Sequence, residues 1–486
     1  MDAPTSYDTM PYPTGSYAQT HPDRLATVAT LFGMSPAPPG RSRVLELGCG
    51  DGGNLLPMAF AMPESRFRGI DLSSTAIASG RDLLTKARMT NVSLDVGDLL
   101  AFEPEAGAYD YVIAHGLYAW VAPPLQDRVL ELCSRALAPQ GVAIVSYNAY
   151  PGSRLREVLR EMALYHIRNI TEPAERLARA KGLLRFLAKA WPEPTDLRFW
   201  VGKQADLALN RVRDNLYHDE LEVDYRPVYF HQFMEHAGRH GLQYLGESDF
   251  FEMNEELCPA SSLELVRSFG PDRLLEKEQY MDFMKCRAFR QTLLCRGDVA
   301  LRRTIPGAVM DRFLVETRSE LVPRKDGDGP VEYRSSRGAT MTTSDAFTRK
   351  MMVLLEASTP RALSFRELAA LGIKENDLRL LLLGMYGSSM INLRLWQAPM
   401  ATEPGERPEA SLLARAQLER RDVVTNLVHV DLNLVDHEIR SLVRLLDGTR
   451  DRTALLKDLT RAGVAAKPSG LDVALRQLAR MAVLTA

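Results

Sequence analysis

Residues 44–54, with the sequence VLELGCGDGGN, constrain the fold of this chain more than any other stretch. An apolar run leads into the acidic residue Glu46, and three glycines then alternate with other residues at Gly48, Gly50 and Gly52. Glycine lets the chain reverse sharply and lets backbone N–H groups approach a ligand without an obstructing Cβ. The stretch therefore predicts a buried strand that ends in a ligand-facing turn, followed by a helix.

Strand-like and helix-like patterns alternate from Arg43 to about Arg168. The strand patterns are RVLELGC, SRFRGIDL, VSLDVGD, YDYVIAH and GVAIVSYN, and the clearest helix patterns are STAIASGRDLLTKAR and PPLQDRVLELCSRALAP. Two further strands are predicted, one within residues 228–250 and one over residues 288–296. Alternation of this kind is typical of a parallel sheet with helices on both faces, so we predict an α/β, Rossmann-like core of seven strands within residues 1–299.

A helical insertion is predicted between the fifth and sixth strands, at about residues 151–227. Its sequence is rich in Leu, Ala, Arg and Glu. It leaves the sheet near the carboxyl ends of the strands, where open α/β sheets bind their ligands. A lid or a substrate-docking surface is one interpretation, and a helical layer without a direct role is the other.

The chain changes character after residue 300. A hairpin pattern (SELVPRKDGDGPVEYRSS), three helix patterns and a short strand (INLRLW) predict a winged-helix-like α+β domain over residues 300–410. The polar stretch 402–411 is interpreted as a linker, and residues 411–486 as a second, mainly helical, winged-helix-like domain. Because no basic face emerges, protein–protein contact is favoured over nucleic-acid binding for both.

Composition excludes several classes of function. The 486 residues carry a net charge of −2, which gives no electrostatic reason to expect nucleic acid or an anionic membrane as partner. Five cysteines without any CxxC spacing argue against a disulfide framework or a cysteine zinc site, and favour a reducing, cytoplasmic compartment. Neither a secretory signal nor an apolar run of spanning length is present in the sequence.

Two polar clusters are interpreted as having no special chemistry. His231, His236 and His240 fall on one predicted helix, and only the last two share a face. Without an HExxH pattern or a visible third ligand, we predict no metal site. The run LERRDVV near residue 418 is interpreted as a solvated helix face.

The spacing of the glycines in the turn indicates which of two kinds of cofactor it binds. A dinucleotide fingerprint has the spacing G-x-G-x-x-G, whereas this chain has G-x-G-x-G preceded by Glu46. An acid at that point would repel a phosphate but could pair with a cationic group. The turn thus favours a nucleoside that bears an amino acid over a pyrophosphate.

These motifs resemble those of class I S-adenosylmethionine-dependent methyltransferases. The resemblance implies that Asp71 accepts both ribose hydroxyls, that Asp98 accepts from the adenine amino group, and that Leu72 and Leu99 enclose the adenine. It implies an S-adenosylmethionine site formed by nine residues, namely Glu46, Gly48, Gly50, Asn54, Asp71, Leu72, Asp98, Leu99 and His115. A carboxylate can take two O–H donors at once, which suits the role of Asp71.

A narrower resemblance is to bacterial methyltransferases that carry a regulatory domain. It rests on YDTMPYPTGSYAQTHPDRLATVATLFG, HGLYAWV, SYNAYPG, FHQFMEHAGRHGLQYL and FRQTLLCR, and it extends to about residue 296. That group includes lysine methyltransferases of cell-envelope surface proteins. Over the last ~190 residues the likeness is thin, and only pattern supports the domain prediction there.

Aromatic side chains near the strand ends are candidates for the methyl-acceptor site, since aromatic faces bind ammonium or sulfonium groups. The candidate catalytic residues are His115, Tyr118, Trp120, Asn148 and Tyr150, with Tyr147 beside them and with Tyr7, Tyr12 and Tyr17 in an N-terminal segment that could cover the cofactor. Each has an alternative role: the aromatic residues in packing, Asn148 in capping a helix, and His115 in contributing only its backbone.

The predicted function is S-adenosylmethionine-dependent N-methylation of lysine side chains in a protein, because extra C-terminal domains suit an extended substrate. One alternative is methylation of a small metabolite or natural product, with the insertion as a lid. A second is a catalytically inactive, cofactor-binding regulatory protein, which the intact cofactor motifs disfavour. A homodimer is compatible with the sequence.

Overall fold

The computed structural model describes residues 10, 12, 14–190, 196–210, 215–322, 329–465 and 467–485. One seven-stranded sheet forms the first part of the chain. Its strands are β1 (Arg43–Leu47), β2 (Arg66–Asp71), β3 (Val92–Val96), β4 (Tyr109–Ala114), β5 (Leu137–Asn148), β6 (Leu242–Glu247) and β7 (Phe289–Arg296). Their order is β3-β2-β1-β4-β5-β7-β6. Neighbours from β3 to β5 are parallel, and β7 is antiparallel to both β5 and β6.

Helices cover both faces of this sheet. They are α1 (Pro22–Leu31), α2 (Leu55–Ala61), α3 (Ser74–Lys86), α4 (Pro123–Ala136) and α9 (Phe230–Arg239). Between β6 and β7 the chain forms α10 (Leu263–Ser268) and α11 (Leu274–Lys285), which pack on each other through Val266 and Met281. Successive strand residues point to opposite faces, so Val44 packs with α1, α2 and α3 while Leu45 packs with α4 and α9. Both cores are mainly apolar, as expected for a sheet that is buried on its two faces. The buried Arg290 on β7, which pairs with Glu247, Glu278 and Asp282, is an exception.

A helical insertion connects β5 to α9. Its helices are α5 (Ser153–His166), α6 (Pro173–Lys189), α7 (Asp196–Leu209) and α8 (Leu216–Leu221). They pack around a core of their own that includes Leu159, Leu184 and Ala205. The insertion therefore begins directly at the carboxyl end of β5, beside the edge of the sheet where the glycine turn lies.

The rest of the chain forms smaller α+β units. A sheet of order β12-β8-β13, from Leu363–Ser364, Leu314–Glu316 and Asn392–Arg394, packs with α12 (Ala346–Ser358), α13 (Phe365–Ala369) and α14 (Glu375–Gly387). A second sheet joins β9 (Glu320–Val322), β10 (Val331–Arg334) and β11 (Thr340–Thr343). It contains the predicted hairpin, whose turn at residues 323–328 lies outside the described residues.

The C-terminal part consists of α15 (Leu412–Gln417), the hairpin β14 (Val423–Thr425) and β15 (Asp431–Asn433), and the helices α16 (His437–Leu445), α17 (Arg452–Arg461) and α18 (Pro468–Arg480). The stretch interpreted as a linker is tied to this part, because Thr485 N–H donates to Glu409 O and Ala410 N–H donates to Leu446 O. The expected fold class, a Rossmann-like core with a helical insertion and winged-helix-like C-terminal units, is confirmed. None of the helices in the described ranges has the length and apolar character needed to cross a bilayer.

Candidate active site

The glycine turn follows β1 directly. Gly48, Gly50 and Gly52 have φ angles of +72°, +55° and +75°, which disfavour any residue with a side chain. The N–H groups of Gly48 and Cys49 donate to Ile70 O and hold the turn against the end of β2. A Cβ on Gly50 would lie 2.9 Å from the Thr14 methyl carbon, so the turn is bare partly because the N-terminal segment covers it.

Glu46 lies beneath this turn and is 4% exposed. Its Oε1 accepts a hydrogen bond of 2.7 Å from Asn54 Nδ2, whereas its Oε2 has no partner among the described residues. Burial, reinforced by the nearby carboxylates of Asp71 and Asp51, raises the pKa of Glu46 to about 8 although the bond from Asn54 acts in the opposite direction. A buried carboxyl with an unused oxygen fits a ligand that brings a positive charge.

Asn54, predicted to bind the cofactor, has its amide occupied by protein groups. Its Nδ2 donates to Glu46 and to Thr20 Oγ1, and its Oδ1 accepts from Tyr17 N and lies 3.0 Å from His429 Nε2. These contacts orient the Asn54 amide towards Glu46, and its part in cofactor binding stays a prediction. Its partners come from the segment that precedes α1 and from the C-terminal hairpin.

Asp71 ends β2. Its Oδ2 accepts from Gly50 N and its Oδ1 accepts from Ser73 N, both at 2.8 Å. These two bonds orient the carboxylate at the end of the strand, next to the glycine turn. The next residue, Leu72, is 56% exposed and provides an apolar surface beside the carboxylate.

The loop after β3 differs from the sequence expectation in one side chain. Asp98 Oδ1 accepts from Leu100 N at 2.9 Å, which closes a tight turn. Leu99 is only 7% exposed and packs in the core with Leu45 and Ile70, whereas Leu100 is 53% exposed. The exposed leucine at this strand end is therefore Leu100, because the turn directs Leu99 into the core.

The aromatic candidates after β4 do not form an open cage. Tyr118 is 2% exposed, and its ring centroid lies 5.2 Å from that of Phe233 in the core. Trp120 packs on Tyr225 at 5.0 Å, and the guanidinium carbons of Arg156 and Arg160 lie 5.3 and 5.4 Å from its ring centroid. The structure thus gives Tyr118 a packing role and fills the surroundings of Trp120 with the protein's own cations.

Tyr150 and Tyr147 are also engaged within the chain. The Tyr150 hydroxyl donates to Glu157, and the Arg154 guanidinium carbon lies 3.8 Å from the Tyr150 ring centroid. Tyr147 is 1% exposed and stacks on Phe233 at 4.1 Å. Sequence reasoning could not detect these partners, because they come from the insertion and from α9.

A different group of side chains is contiguous at the carboxyl edge of the sheet. The His115 ring centroid lies 4.3 Å from that of Tyr17 and 6.2 Å from that of Phe289. Phe289 is 39% exposed and pairs with Asn148 in the β5–β7 ladder. Asn148 is 6% exposed, and its Oδ1 has no hydrogen-bond partner among the described residues. Sequence reasoning missed Phe289, which lies more than 140 residues from Asn148.

The N-terminal segment lies across this edge. Thr14 Oγ1 donates to Asp51 in the glycine turn, and Tyr17 N–H donates to Asn54. Tyr12 reaches the insertion, where Asn215 Nδ2 donates to its hydroxyl at 3.3 Å. Tyr7, the third tyrosine singled out in the sequence, lies outside the described residues. The segment therefore links the glycine turn to the insertion.

The C-terminal part reaches the same place. Ser16 Oγ donates to Asp431 at 2.7 Å, and Arg421 Nη1 donates to Thr14 O. The run LERRDVV is thus not a solvated helix face, because Arg420 also contacts Ser79 and Asp82 on α3. The buried His429 imidazole, whose pKa is lowered to about 4 by burial, completes the approach to Asn54.

The chain matches three sequence families in succession. They are "Methyltransferase domain" at residues 44–141, "Predicted methyltransferase regulatory domain" at residues 213–296, and "PKMT, C-terminal winged helix domain" at residues 406–482. An uncharacterized protein of Rickettsia prowazekii, RP028, is 34% identical over 241 residues, which cover 49% of this chain and 96% of RP028. The chain belongs to the class I methyltransferases that carry this regulatory domain.

Two further comparisons extend over nearly the whole methyltransferase. A second uncharacterized R. prowazekii protein, RP789, is 28% identical over 477 residues, which cover 93% of the methyltransferase and 85% of RP789. The structure of PKMT2 from Rickettsia typhi in complex with AdoHcy is 23% identical, covers 98% of the methyltransferase and 100% of PKMT2, and has a TM-score of 0.86. This likeness shows that the two chains share the fold. The methyltransferase uses S-adenosylmethionine as its cofactor.

Binding of the cofactor to the methyltransferase should release a proton near pH 7. Because the pKa of Glu46 is raised to about 8, the cofactor-free protein holds a proton there at neutral pH. A neighbouring α-ammonium group would lower that pKa and ionise the carboxyl. We therefore expect affinity for S-adenosylmethionine to rise by up to about tenfold per pH unit from pH 6 to pH 8.

Calorimetric titration in two buffers with different ionisation enthalpies measures this release. Glu46→Gln, which mimics the protonated carboxyl, should bind more weakly and release no proton from this position. Equal apparent enthalpies in both buffers for the unsubstituted methyltransferase at pH 7 would contradict the placement of the ammonium group at Glu46.

Proposed function

We propose that this methyltransferase N-methylates lysine side chains of a protein substrate. The observation that carries the proposal is Asn148, whose buried Oδ1 lacks a partner among the described residues at the strand edge, next to the Phe289 ring. A buried carbonyl oxygen needs an N–H or O–H donor, and an amine supplies one.

The chemistry requires little beyond positioning. S-adenosylmethionine supplies a methyl group on a positively charged sulfur. The acceptor nitrogen must approach in line and must first lose its proton, which apolar surroundings favour for a lysine. In this proposal Asn148 accepts a hydrogen bond from the amine, while Phe289 and Tyr17 exclude water and His115 contacts both rings.

We also propose a role in cofactor binding for individual residues at the glycine turn and at the ends of β2 and β3. Glu46 receives the ammonium group over the bare turn of Gly48 and Gly50, and Asp71 receives the ribose hydroxyls. Asp98 remains the proposed partner of the adenine amino group, with Leu72 and Leu100 on either side of the base.

A protein substrate is further supported by the C-terminal part. PKMT abbreviates protein lysine methyltransferase, and the family matched at residues 406–482 bears that name. We propose residues 300–410 and 411–486 as two units that dock the substrate protein. The alternative, a small-molecule acceptor beneath the helical insertion as a lid, is an outcome of the experiment below.

Transfer of labelled methyl groups separates the two functions. The purified methyltransferase is incubated with labelled S-adenosylmethionine and either the total protein or the metabolite fraction of the source organism. We expect label and S-adenosylhomocysteine with the protein fraction, and loss of the protein label when lysines are first acetylated. Label confined to the metabolite fraction, or unchanged by acetylation, would refute lysine methylation while leaving the methyltransferase assignment intact.

A further inference from the structure

The Asp127 carboxylate contacts both of the histidines that share a face of α9, His236 and His240. Asp127 lies on α4, His236 lies in the last turn of α9, and His240 is the residue that caps this helix. The Nε2 atoms of His236 and His240 lie 3.0 and 2.9 Å from the same oxygen, Asp127 Oδ1. All three donor atoms fall within 4.8 Å of one another. This third residue was not apparent from the sequence, because Asp127 precedes His236 by 109 residues.

We propose that Asp127, His236 and His240 bind a divalent transition-metal ion of the zinc class. Two imidazole nitrogens and one carboxylate oxygen are a donor set that zinc accepts and that magnesium and calcium disfavour. Ligand atoms around a tetrahedral zinc ion, at about 2.0–2.1 Å from the metal, are separated from each other by about 3.3 Å. The distances to Asp127 Oδ1 are only a few tenths of an ångström shorter. The two Nε2 atoms lie within 4.8 Å of each other, so side-chain shifts would bring the three atoms to these separations.

The surroundings of the cluster suit a metal with one open position. The side chains of His236 and His240 are 12% and 16% exposed, while that of Asp127 is 58% exposed. The two imidazoles are thus held by the protein, and the carboxylate faces solvent, where water can complete the coordination.

Tyr118 provides the second hydrogen bond that a metal-binding histidine normally makes. Its hydroxyl lies 2.8 Å from His236 Nδ1. Without metal, Nε2–H donates to Asp127 and Nδ1 accepts from the hydroxyl. With metal on Nε2, the proton resides on Nδ1 and donates to the Tyr118 oxygen, which can accept as well as donate. Tyr118 belongs to the turn that follows β4 at the carboxyl edge of the sheet.

The ion would connect two segments of the chain that match different sequence families. Asp127 lies within residues 44–141, the methyltransferase domain, and both histidines lie within residues 213–296, the regulatory domain. Apart from this cluster, α9 contacts the core mainly through apolar side chains such as Phe230, Phe233 and Met234. A bound ion would fix the position of α9 relative to Tyr118 and the turn that follows β4.

Titration of the full chain with ZnCl2 tests the proposal. The exposed Cys286 could itself bind zinc, so the protein carries Cys286→Ser and is freed of metal with EDTA and desalted first. We expect saturable binding of one Zn²⁺ that 1 mM Mg²⁺, about a physiological concentration, does not prevent. His240→Gln and Asp127→Asn should each weaken binding by at least about tenfold.

The matched control is His231→Gln, since His231 lies on the same helix but its ring bonds to Gln279. It should bind zinc like the parent protein. Visible absorption of Co²⁺ bound to the parent protein gives a readout that needs no variant, because tetrahedral imidazole ligation produces intense bands. Absence of saturable zinc binding, or equal affinity in His240→Gln and the parent, would overturn the proposal.

Discussion

Replacing Asp71 by alanine should reduce the affinity for S-adenosylmethionine by at least about 100-fold. The carboxylate is the proposed acceptor for two ribose hydroxyls, and each hydrogen bond to a charged group contributes about 1.5–3 kcal/mol. It also accepts from Gly50 N, so its loss releases the glycine turn at the same time. Isothermal titration calorimetry with S-adenosylmethionine measures the change in Kd.

Asp95→Ala is the matched control for this substitution. Asp95 lies on the adjacent strand β3, and its carboxylate pairs with Arg68 and Arg81 at the surface. Because such exposed pairs contribute only about 0–1 kcal/mol, cofactor affinity should be unaffected. An unchanged Kd for Asp71→Ala, in a variant whose circular dichroism spectrum matches that of the parent, would remove Asp71 from the site.

Replacing Asn148 by alanine should lower kcat/KM for the methyl acceptor by about 10- to 100-fold and leave the Kd for the cofactor unchanged. The expected factor corresponds to one hydrogen bond of about 1.5–3 kcal/mol to the acceptor amine. Since Asn148 Oδ1 has no partner among the described residues, the substitution breaks no hydrogen bond of that oxygen within them. Initial rates of S-adenosylhomocysteine formation against acceptor concentration measure the effect.

Asn210→Ala is the matched control, because it replaces an asparagine outside the proposed site by the same residue. Asn210 follows α7 in the insertion, where its Nδ2 donates to Asp206 of the same helix. We expect the kcat/KM of the Asn210→Ala variant to equal that of the parent protein. Normal turnover by Asn148→Ala would mean that the acceptor binds elsewhere, whereas weakened cofactor binding in that variant would place Asn148 on the cofactor side.

Much of the core was predictable because its signals are local. Strand patterns, the apolar helix faces and the glycines at 48, 50 and 52 each depend on a few neighbouring residues. The class of cofactor followed from the acid at Glu46 and the glycine spacing. The confirmed methyltransferase family and Rossmann-like fold rest on these short stretches.

Burial of individual side chains was harder to predict. Leu99 and Leu100 are adjacent and identical in type, and only the turn closed by Asp98 distinguishes the buried leucine from the exposed one. Tyr118 and Trp120 follow a strand end, as a substrate-lining pair would, yet helices from distant parts of the chain pack against both. Spacing along a sequence carries no information about such partners.

The amino-acid sequence was sufficient for the sheet, the bare turn and the buried acid, since backbone conformation and apolar periodicity are properties of consecutive residues. Folding was needed to bring His429 to Asn54, Phe289 to Asn148, and Asp127 to His236. Each of these pairs is separated by more than 100 residues. Their proximity results from the packing of α9, β7 and the C-terminal hairpin against the core, which buries apolar surface and so fixes where the polar side chains meet.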